Sequence, residues 1–144
     1  MGLSAALENG YMRLHQAVYI WTDGRLGHRL VGVPSLLLRT TGRRTGARRT
    51  IALIYARDGG DYVLVASNGA RDQSPGWYFN LRADPNVEVQ VGRRRIPGVA
   101  HEVKRGDPEF DRLWRLVNDT NHGRYDGYQR RTSREIPLIV VRPG

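Results

Sequence analysis

The sequence predicts a mainly β fold of the α+β class: a six-stranded antiparallel barrel with an N-terminal helix and two or three short helices. Three observations support this prediction. Short apolar runs recur along the chain, tight glycine-rich turns join several of them, and helical spacing is confined to brief segments. With 144 residues and a hydrophobic fraction of 40%, the chain is expected to form a single domain, 1–144.

The first element is expected to be a helix within an N-terminal helical segment, 1–30. Its apolar residues recur at steps of three and four, which places them on one helical face. Asp23-Gly24 is expected to end it. Such a helix packs on the core, rests on a membrane surface or gates a pocket. The apolar positions are Leu3, Leu7, Tyr11, Leu14, Val18 and Trp21.

Six strands are predicted after this helix. Asp58-Gly59-Gly60-Asp61 predicts a tight hairpin turn between the second and third strands. Pro137 indicates an edge position or an irregular start for the last strand, because proline cannot donate a ladder hydrogen bond. The predicted strands are 35–40, 50–57, 62–67, 87–91, 96–104 and 136–141.

Two proline signals predict the later helices. Ser74-Pro75 combines a capping hydroxyl with proline at the first helical position, and that helix should stop before Asp84-Pro85. Asp107-Pro108 repeats the signal ahead of a second helix. The polar stretch 118–134 is expected to be a loop with short helical turns.

The charge balance indicates an anionic partner. Lys and Arg total 23 against 14 acidic residues, a formal net charge of +9, and Lys104 is the only lysine. Arginine presents a planar fork of donors that matches phosphate and carboxylate oxygens. Nucleic acid, a membrane surface or a polyanionic small molecule fits this charge, while a GC-rich genome equally explains the shortage of lysine.

Several function classes are excluded or disfavoured. The absence of cysteine excludes disulfides, thiolate metal sites and cysteine nucleophiles. The four histidines lack helical metal-pair spacing, so no metal is expected. Neither a bilayer-spanning apolar run nor a secretory signal is present, which predicts a cytoplasmic protein, with membrane association possible through the first helix. Any chemistry would need a bound cofactor.

The most informative segment is LRTTGRRTGARRT, from Leu38 to Thr50. Five arginines occur there without an acidic residue, and its glycines allow a ligand to approach the backbone closely. Backbone N–H groups, threonine hydroxyls and bidentate arginines would together bind phosphate or carboxylate. The alternative is a solvated hairpin tip.

Two further segments carry candidate site residues. In ASNGARDQSPGWYFNL, from Ala66 to Leu81, a strand leads through a loop to a helix N-terminus that suits an anion, and Trp77 either covers a flat ligand or packs in the core. In HGRYDGY, from His122 to Tyr128, the tyrosines either contact a substrate or bury their rings.

Taken together, these segments resemble the deazaflavin-dependent nitroreductase family of actinobacteria, small reductases that use reduced coenzyme F420. The resemblance runs from about Pro34 to the end of the chain, and the TGRRTG turn combined with the tryptophan-containing helix makes it specific. The matching stretches are LLLRTTGRRTGARRT, DGGDYVLVAS, SPGWYFNLRADPNVEVQV and YQRRTSREIPLIVV.

The resemblance implies a split β-barrel that binds F420 in a groove. Arg43, Arg44, Thr45 and Arg49 would hold its phosphate and glutamate tail. The flanks of the deazaflavin ring would be Thr50, Ile51, Ala52, Leu53, Ile54, Val65, Ala66, Ser67 and Asn68, with further contacts from Gly76, Trp77, Tyr78 and Asn80.

The resemblance also implies hydride transfer to an electron-poor conjugated acceptor: a quinone, a nitroaromatic compound, or an α,β-unsaturated lactone or ester. Tyr125, Tyr128 and His122 would contact this substrate, and Tyr125, Ser67 or water would donate the proton. His122 stands where the family member that activates nitroimidazole prodrugs has a tyrosine, so the acceptor is left open.

Three alternatives remain at this point. An FMN-binding split-barrel oxidoreductase would share the fold and carry a shorter anionic tail. A nucleic-acid-binding barrel would use Arg43–Arg49 and Arg93–Arg95, but the strands beside the basic turn are aliphatic and lack stacking aromatics, so no nucleic-acid partner is expected. A catalytically silent F420 carrier would share every cofactor residue. The oligomeric state is not predicted.

Overall fold

The protein is described by a computed structural model that covers residues 13, 14, 16, 29, 30 and 33–144. The predicted N-terminal helical segment, 1–30, lies almost wholly outside these residues. No helix within the described part of the chain has both the length and the apolar character needed to span a bilayer.

The described residues form eight strands, all paired antiparallel. Seven of them make one sheet in the order β3-β2-β6-β7-β8-β5-β4, and the two-residue β1 pairs with the start of β2. The strands are β1 (Arg29–Leu30), β2 (Val33–Thr41), β3 (Arg48–Ile54), β4 (Ala56–Asp58), β5 (Asp61–Val65), β6 (Asn86–Val91), β7 (Arg94–Val103) and β8 (Leu138–Pro143).

The sheet curls into a half-barrel because its two ends are joined through one residue. β3 and β4 stand at opposite ends of the pairing order, yet only Tyr55 separates them in the chain. The N–H of Tyr55 donates to the carbonyl of Pro34 at 3.3 Å, which continues the β2–β3 register by one residue before β4 begins. The mainly β, α+β class is therefore confirmed, while the predicted count of six strands is wrong: the strand expected at 50–57 is interrupted at Tyr55.

The two faces of the sheet bury different apolar clusters. On β5, Tyr62 and Leu64 belong to the cluster that contains Trp77, called the inner cluster. Val63 and Val65 belong to the cluster that contains Tyr125, called the outer cluster. This alternation follows from the two-residue period of a strand and shows that both faces are covered. The hairpin predicted at 58–61 is confirmed, since Asp58 pairs with Asp61.

Between residues 33 and 144, one helix follows the β4–β5 hairpin and two follow the β6–β7 hairpin: α1 (Gly76–Ala83), α2 (Phe110–Thr120) and α3 (Arg124–Arg130). α1 ends before Asp84-Pro85, as predicted. Its expected cap is wrong, because Pro75 occupies the N-cap position and the Ser74 hydroxyl accepts a hydrogen bond from Arg134 instead. Pro137 marks an irregular start and not an edge, since β8 lies between β7 and β5.

Candidate functional site

A cleft of about 540 Å³ lies between the β2–β3 turn and α1. Its volume falls within the range of small-molecule sites, about 300–1,000 Å³. The hairpin brings the arginine-rich segment to one wall, and α1 with its preceding loop forms the other. Predicted cofactor residues that line this cleft are Arg43, Arg44, Thr45, Arg49, Thr50, Ile51, Asn68, Gly76, Trp77 and Asn80.

The backbone of the β2–β3 turn is held by its own hydrogen bonds. The N–H of Gly42 donates to the carbonyl of Ala47 at 2.7 Å, and that of Gly46 to the carbonyl of Gly42 at 2.8 Å. A Cβ on Gly42 would lie only 3.0 Å from the Ala47 oxygen, so a side chain at this position would crowd the closure. The amides of Gly42 and Gly46 are therefore used within the turn and do not face an anion.

Arg43 fixes the turn to α1. Its guanidinium donates to Oδ1 of buried Asn80 at 2.8 Å, and its backbone N–H donates to the same oxygen at 3.2 Å. The amide nitrogen of Asn80 in turn donates to the Thr40 hydroxyl at 3.2 Å. The Arg43 guanidinium also lies 5.4 Å from the ring centre of Phe79. One side chain therefore aligns the two walls of the cleft.

Arg44 and Arg49 are available to a ligand. Both are exposed and line the cleft, and within the described part of the chain neither makes a side-chain hydrogen bond or ion pair. Arg48, which precedes Arg49 on β3, does not line the cleft and donates to the Thr41 hydroxyl at 3.3 Å. The alternation of the strand thus separates a cleft-facing arginine from an outward one.

The remaining wall of the cleft is apolar. Ile51 packs against the inner cluster, and Trp77 belongs to that cluster with only 6% of its surface exposed. Trp77 therefore packs in the core, which is one of its two predicted roles, and it also lines the cleft, while its contact with a flat ligand stays a prediction. Gly76 begins α1 at the cleft, where the positive end of the helix dipole favours an anion.

Sequence reasoning missed several residues of the site. Gln73, Ser74 and Pro75 line the cleft between Asn68 and α1. They could have been predicted, because they lie in the chain between the predicted cofactor residues Asn68 and Gly76. Gln16 was also missed: its amide nitrogen donates to the carbonyl of Thr50 at 3.2 Å, and its oxygen accepts from the N–H of Ala52 at 2.9 Å. No local pattern indicates such a bridge to β3.

Tyr78 lies apart from the cleft. With Phe79 and Arg82 it lines a second cleft of about 440 Å³ on the opposite face of α1. Its hydroxyl donates a hydrogen bond to Glu102, and burial together with this carboxylate raises the pKa of Tyr78 above its ordinary value. The other predicted cofactor residues that do not line the first cleft are Ala52, Leu53, Ile54, Val65, Ala66 and Ser67.

The predicted substrate residues lie around α3. Tyr125 is 6% exposed and packs in the outer cluster, with its ring centre 6.2 Å from that of Tyr128. Burial raises the pKa of Tyr125 to about 12, although a hydrogen bond with Asn121 opposes the shift. His122 is exposed and has a φ of 58°. The structure does not bring these three residues to the cleft, and their substrate roles stay predictions.

A curled antiparallel sheet with an arginine-lined cleft against a short helix defines a class of protein: a small half-barrel suited to an anionic, largely flat ligand. Within that class, the comparisons with known proteins give the family. The family model of F420H(2)-dependent quinone reductases matches residues 11–143, and the chain belongs to this family.

Known relatives agree with this assignment. An F420H(2)-dependent quinone reductase of Mycobacterium tuberculosis is 53% identical over 131 residues, which cover 90% of this chain and 88% of the relative. The solved structure of an F420-H2 dependent reductase, FDR-A, superposes with a TM-score of 0.68 at 36% identity, covering 75% of this chain and 93% of that one. A structure named a domain-swapped dimer covers 93% of this chain and 98% of its own, with a TM-score of 0.70 and 30% identity.

Proposed function

We propose that this protein is an oxidoreductase that binds reduced coenzyme F420 in the cleft between the β2–β3 turn and α1 and reduces a quinone. The observation that carries the proposal is that two exposed arginines, Arg44 and Arg49, line the cleft. Within the described part of the chain, neither has a side-chain hydrogen bond or ion pair, and the chain belongs to a family of F420H(2)-dependent reductases.

The donor set fits the cofactor. F420 carries a phosphodiester and several carboxylates, and arginine binds such oxygens with two parallel hydrogen bonds. Arg44, Arg49 and the hydroxyl of Thr45 would hold this anionic tail, while Arg43 keeps the turn against α1. Ile51 and Trp77 offer apolar surface for a flat ring. Both requirements of the ligand therefore meet in one cleft.

The protein's own groups orient the reactants and exclude water. Reduced F420, when bound, supplies the hydride. The quinone gains two electrons as this hydride together with one proton, and becomes a hydroquinone. Fixing two flat rings in contact can remove several kcal/mol from the barrier, because the entropy of their alignment is lost on binding. Ser67, which immediately precedes Asn68 of the cleft wall, and water are candidate proton donors. Tyr125 is a further candidate from the resemblance, although it does not line the cleft.

Nitroaromatic compounds and α,β-unsaturated lactones or esters are further candidate acceptors. A peripheral membrane contact through the segment 1–30 would give access to a lipid-soluble quinone.

Titration with F420 and with FMN at fixed salt, followed by cofactor fluorescence, tests the cofactor. We expect tight and selective binding of F420, because its extended anionic tail reaches the arginines. Selective binding of FMN would keep the fold and overturn the cofactor assignment. Binding of neither would remove the proposed function.

A further inference from the structure

A strained turn forms part of the cleft wall. Asn68, Gly69 and Ala70 make a short 3₁₀ turn in which all three residues have positive φ, at 50°, 62° and 69°. The left-handed region is unfavourable for residues with a Cβ, and successive occupancy is rare. Ala70 gains nothing from it through its own side chain. Such a turn persists only where the surroundings hold it, and strain of this kind concentrates at functional sites.

Arg134 stabilises this turn in its left-handed conformation. Its guanidinium donates to the carbonyl oxygens of Ala66 at 3.2 Å, Ser67 at 2.9 Å and Arg71 at 3.2 Å. A fourth hydrogen bond reaches the Ser74 hydroxyl at 3.1 Å. Two of these acceptors precede the turn and two follow it, so one side chain from the segment before β8 spans the turn from both sides.

The turn and the cleft share residues. Asn68 lines the cleft, and its side-chain nitrogen donates to the carbonyl of Gln73 at 2.9 Å. Gln73 and Ser74 line the cleft as well. If the turn opened, these three residues would lose their common support. Arg134 itself does not line this cleft, so it would act through the loop.

We propose that Arg134 is a positioning residue for cofactor binding: it keeps the left-handed turn Asn68–Ala70 closed and thereby holds Asn68, Gln73 and Ser74 in the cleft wall. The inference rests on the proposed function, because it concerns cofactor binding in that cleft. Apparent affinity falls in proportion to the fraction of molecules in which the binding-competent state is formed. Any opening of the turn therefore weakens cofactor binding without altering a contact residue.

Arg134→Lys tests the geometry at constant charge. An ammonium group donates from a single atom and cannot reach four acceptors as a planar guanidinium does. Arg130→Lys is the matched control, since Arg130 is an exposed arginine at the end of α3. Ala70→Gly is the second-site variant: Ala70 does not line the cleft, and glycine removes the penalty of positive φ. The double variant Arg134→Lys/Ala70→Gly completes a double-mutant cycle with the two single variants.

We expect F420 affinity to fall about tenfold in Arg134→Lys, about 1.4 kcal/mol, and to change less than about twofold in the control. Ala70→Gly should restore about threefold of the loss, because the turn then closes at lower cost. Hydrogen exchange provides a readout without cofactor. The amides of Ala70 and Arg71, which donate to Ser67 and Asn68, should exchange faster in Arg134→Lys, while β8 amides stay protected.

Equal F420 affinity in Arg134→Lys and Arg130→Lys would overturn the inference, as would unchanged exchange at Ala70 and Arg71. Absence of recovery on adding Ala70→Gly would also count against it. If the unsubstituted protein does not bind F420, the proposed function fails, and the exchange measurement alone then decides whether Arg134 holds the turn.

Discussion

The basic turn, Gly42–Arg49, and the tyrosine pair, Tyr125 and Tyr128, are both polar segments with candidate functional side chains, yet the structure treats them in opposite ways. The basic turn is tied down through its backbone and through Arg43, which leaves Arg44 and Arg49 exposed in the cleft. Tyr125, on α3, is buried in the outer cluster with residues of α2. This difference shows that a side chain is free to bind a ligand where the backbone and neighbouring side chains already hold the local structure together.

The largest expected effect tests the turn side of this comparison. Arg43→Ala combined with Arg44→Ala removes the alignment of the two walls and one available guanidinium. We expect F420 to bind about 100-fold more weakly at low salt. The lost arginine would make two parallel, charge-assisted hydrogen bonds to the anionic tail of the cofactor, and these together contribute about 3 kcal/mol. The loss should be smaller at high salt, where charges are screened. Fluorescence titrations at two salt concentrations measure it, and unchanged affinity would move the anion site elsewhere.

A smaller effect separates neighbours on β3. Arg49→Ala should weaken F420 binding about tenfold, whereas Arg48→Ala should change it less than about twofold. Both variants remove one positive charge from the same turn, but only Arg49 lines the cleft. Titration of the two variants side by side is therefore an internal control. Equal losses would mean that the arginines act only through long-range charge.

The smallest effect concerns the tyrosine pair. Tyr125→Phe deletes a hydroxyl that hydrogen-bonds with Asn121, and should lower the free energy of unfolding by about 1 kcal/mol while F420 affinity stays the same. Denaturant unfolding and cofactor titration measure the two quantities. A tenfold or larger fall in the hydride-transfer rate of this variant would break the comparison and favour the predicted substrate role of Tyr125.

The same variant predicts a difference at alkaline pH. Burial raises the pKa of Tyr125 to about 12 from the ordinary value of 10.0, so the folded state holds this proton more tightly than the unfolded chain. The resulting stability is fully present below pH 10 and is lost as the pH rises towards 12. Melting temperatures between these pH values should therefore fall more steeply in the unsubstituted protein than in Tyr125→Phe. Parallel curves would show that this hydroxyl is not buried.

Local signals explain what the sequence predicted correctly. The hairpin at 58–61 depends on two adjacent glycines between apolar strands, and the basic turn depends on glycines and arginines within a few positions. Both patterns lie in one short segment and need no knowledge of distant partners. Short apolar runs likewise predicted most strand positions, although not the break at Tyr55.

Long-range contacts explain what the sequence did not predict. Arg134 contacts Ala66 and Ser67, more than 60 positions earlier, and Gln16 reaches Thr50 and Ala52 across 34 to 36 positions. Single side chains of this kind leave no periodic trace. The predicted cap at Ser74 is wrong because its hydroxyl accepts from the distant guanidinium of Arg134. The predicted cap at Asp107 is wrong for a local reason, since its carboxylate accepts from the backbone N–H of Lys104, three residues earlier.

The single-residue junction at Tyr55 has a consequence for the order of folding. The β2–β3 and β4–β5 hairpins join neighbouring segments, so each can form independently on a microsecond timescale. The register of β5 with β8, in which Val63 meets Val140, closes a far longer loop. Non-local pairing of this kind slows folding of β-rich domains to milliseconds or longer. We therefore expect both hairpins, on either side of Tyr55, to form before β8 pairs with β5, and this last pairing to limit the folding rate.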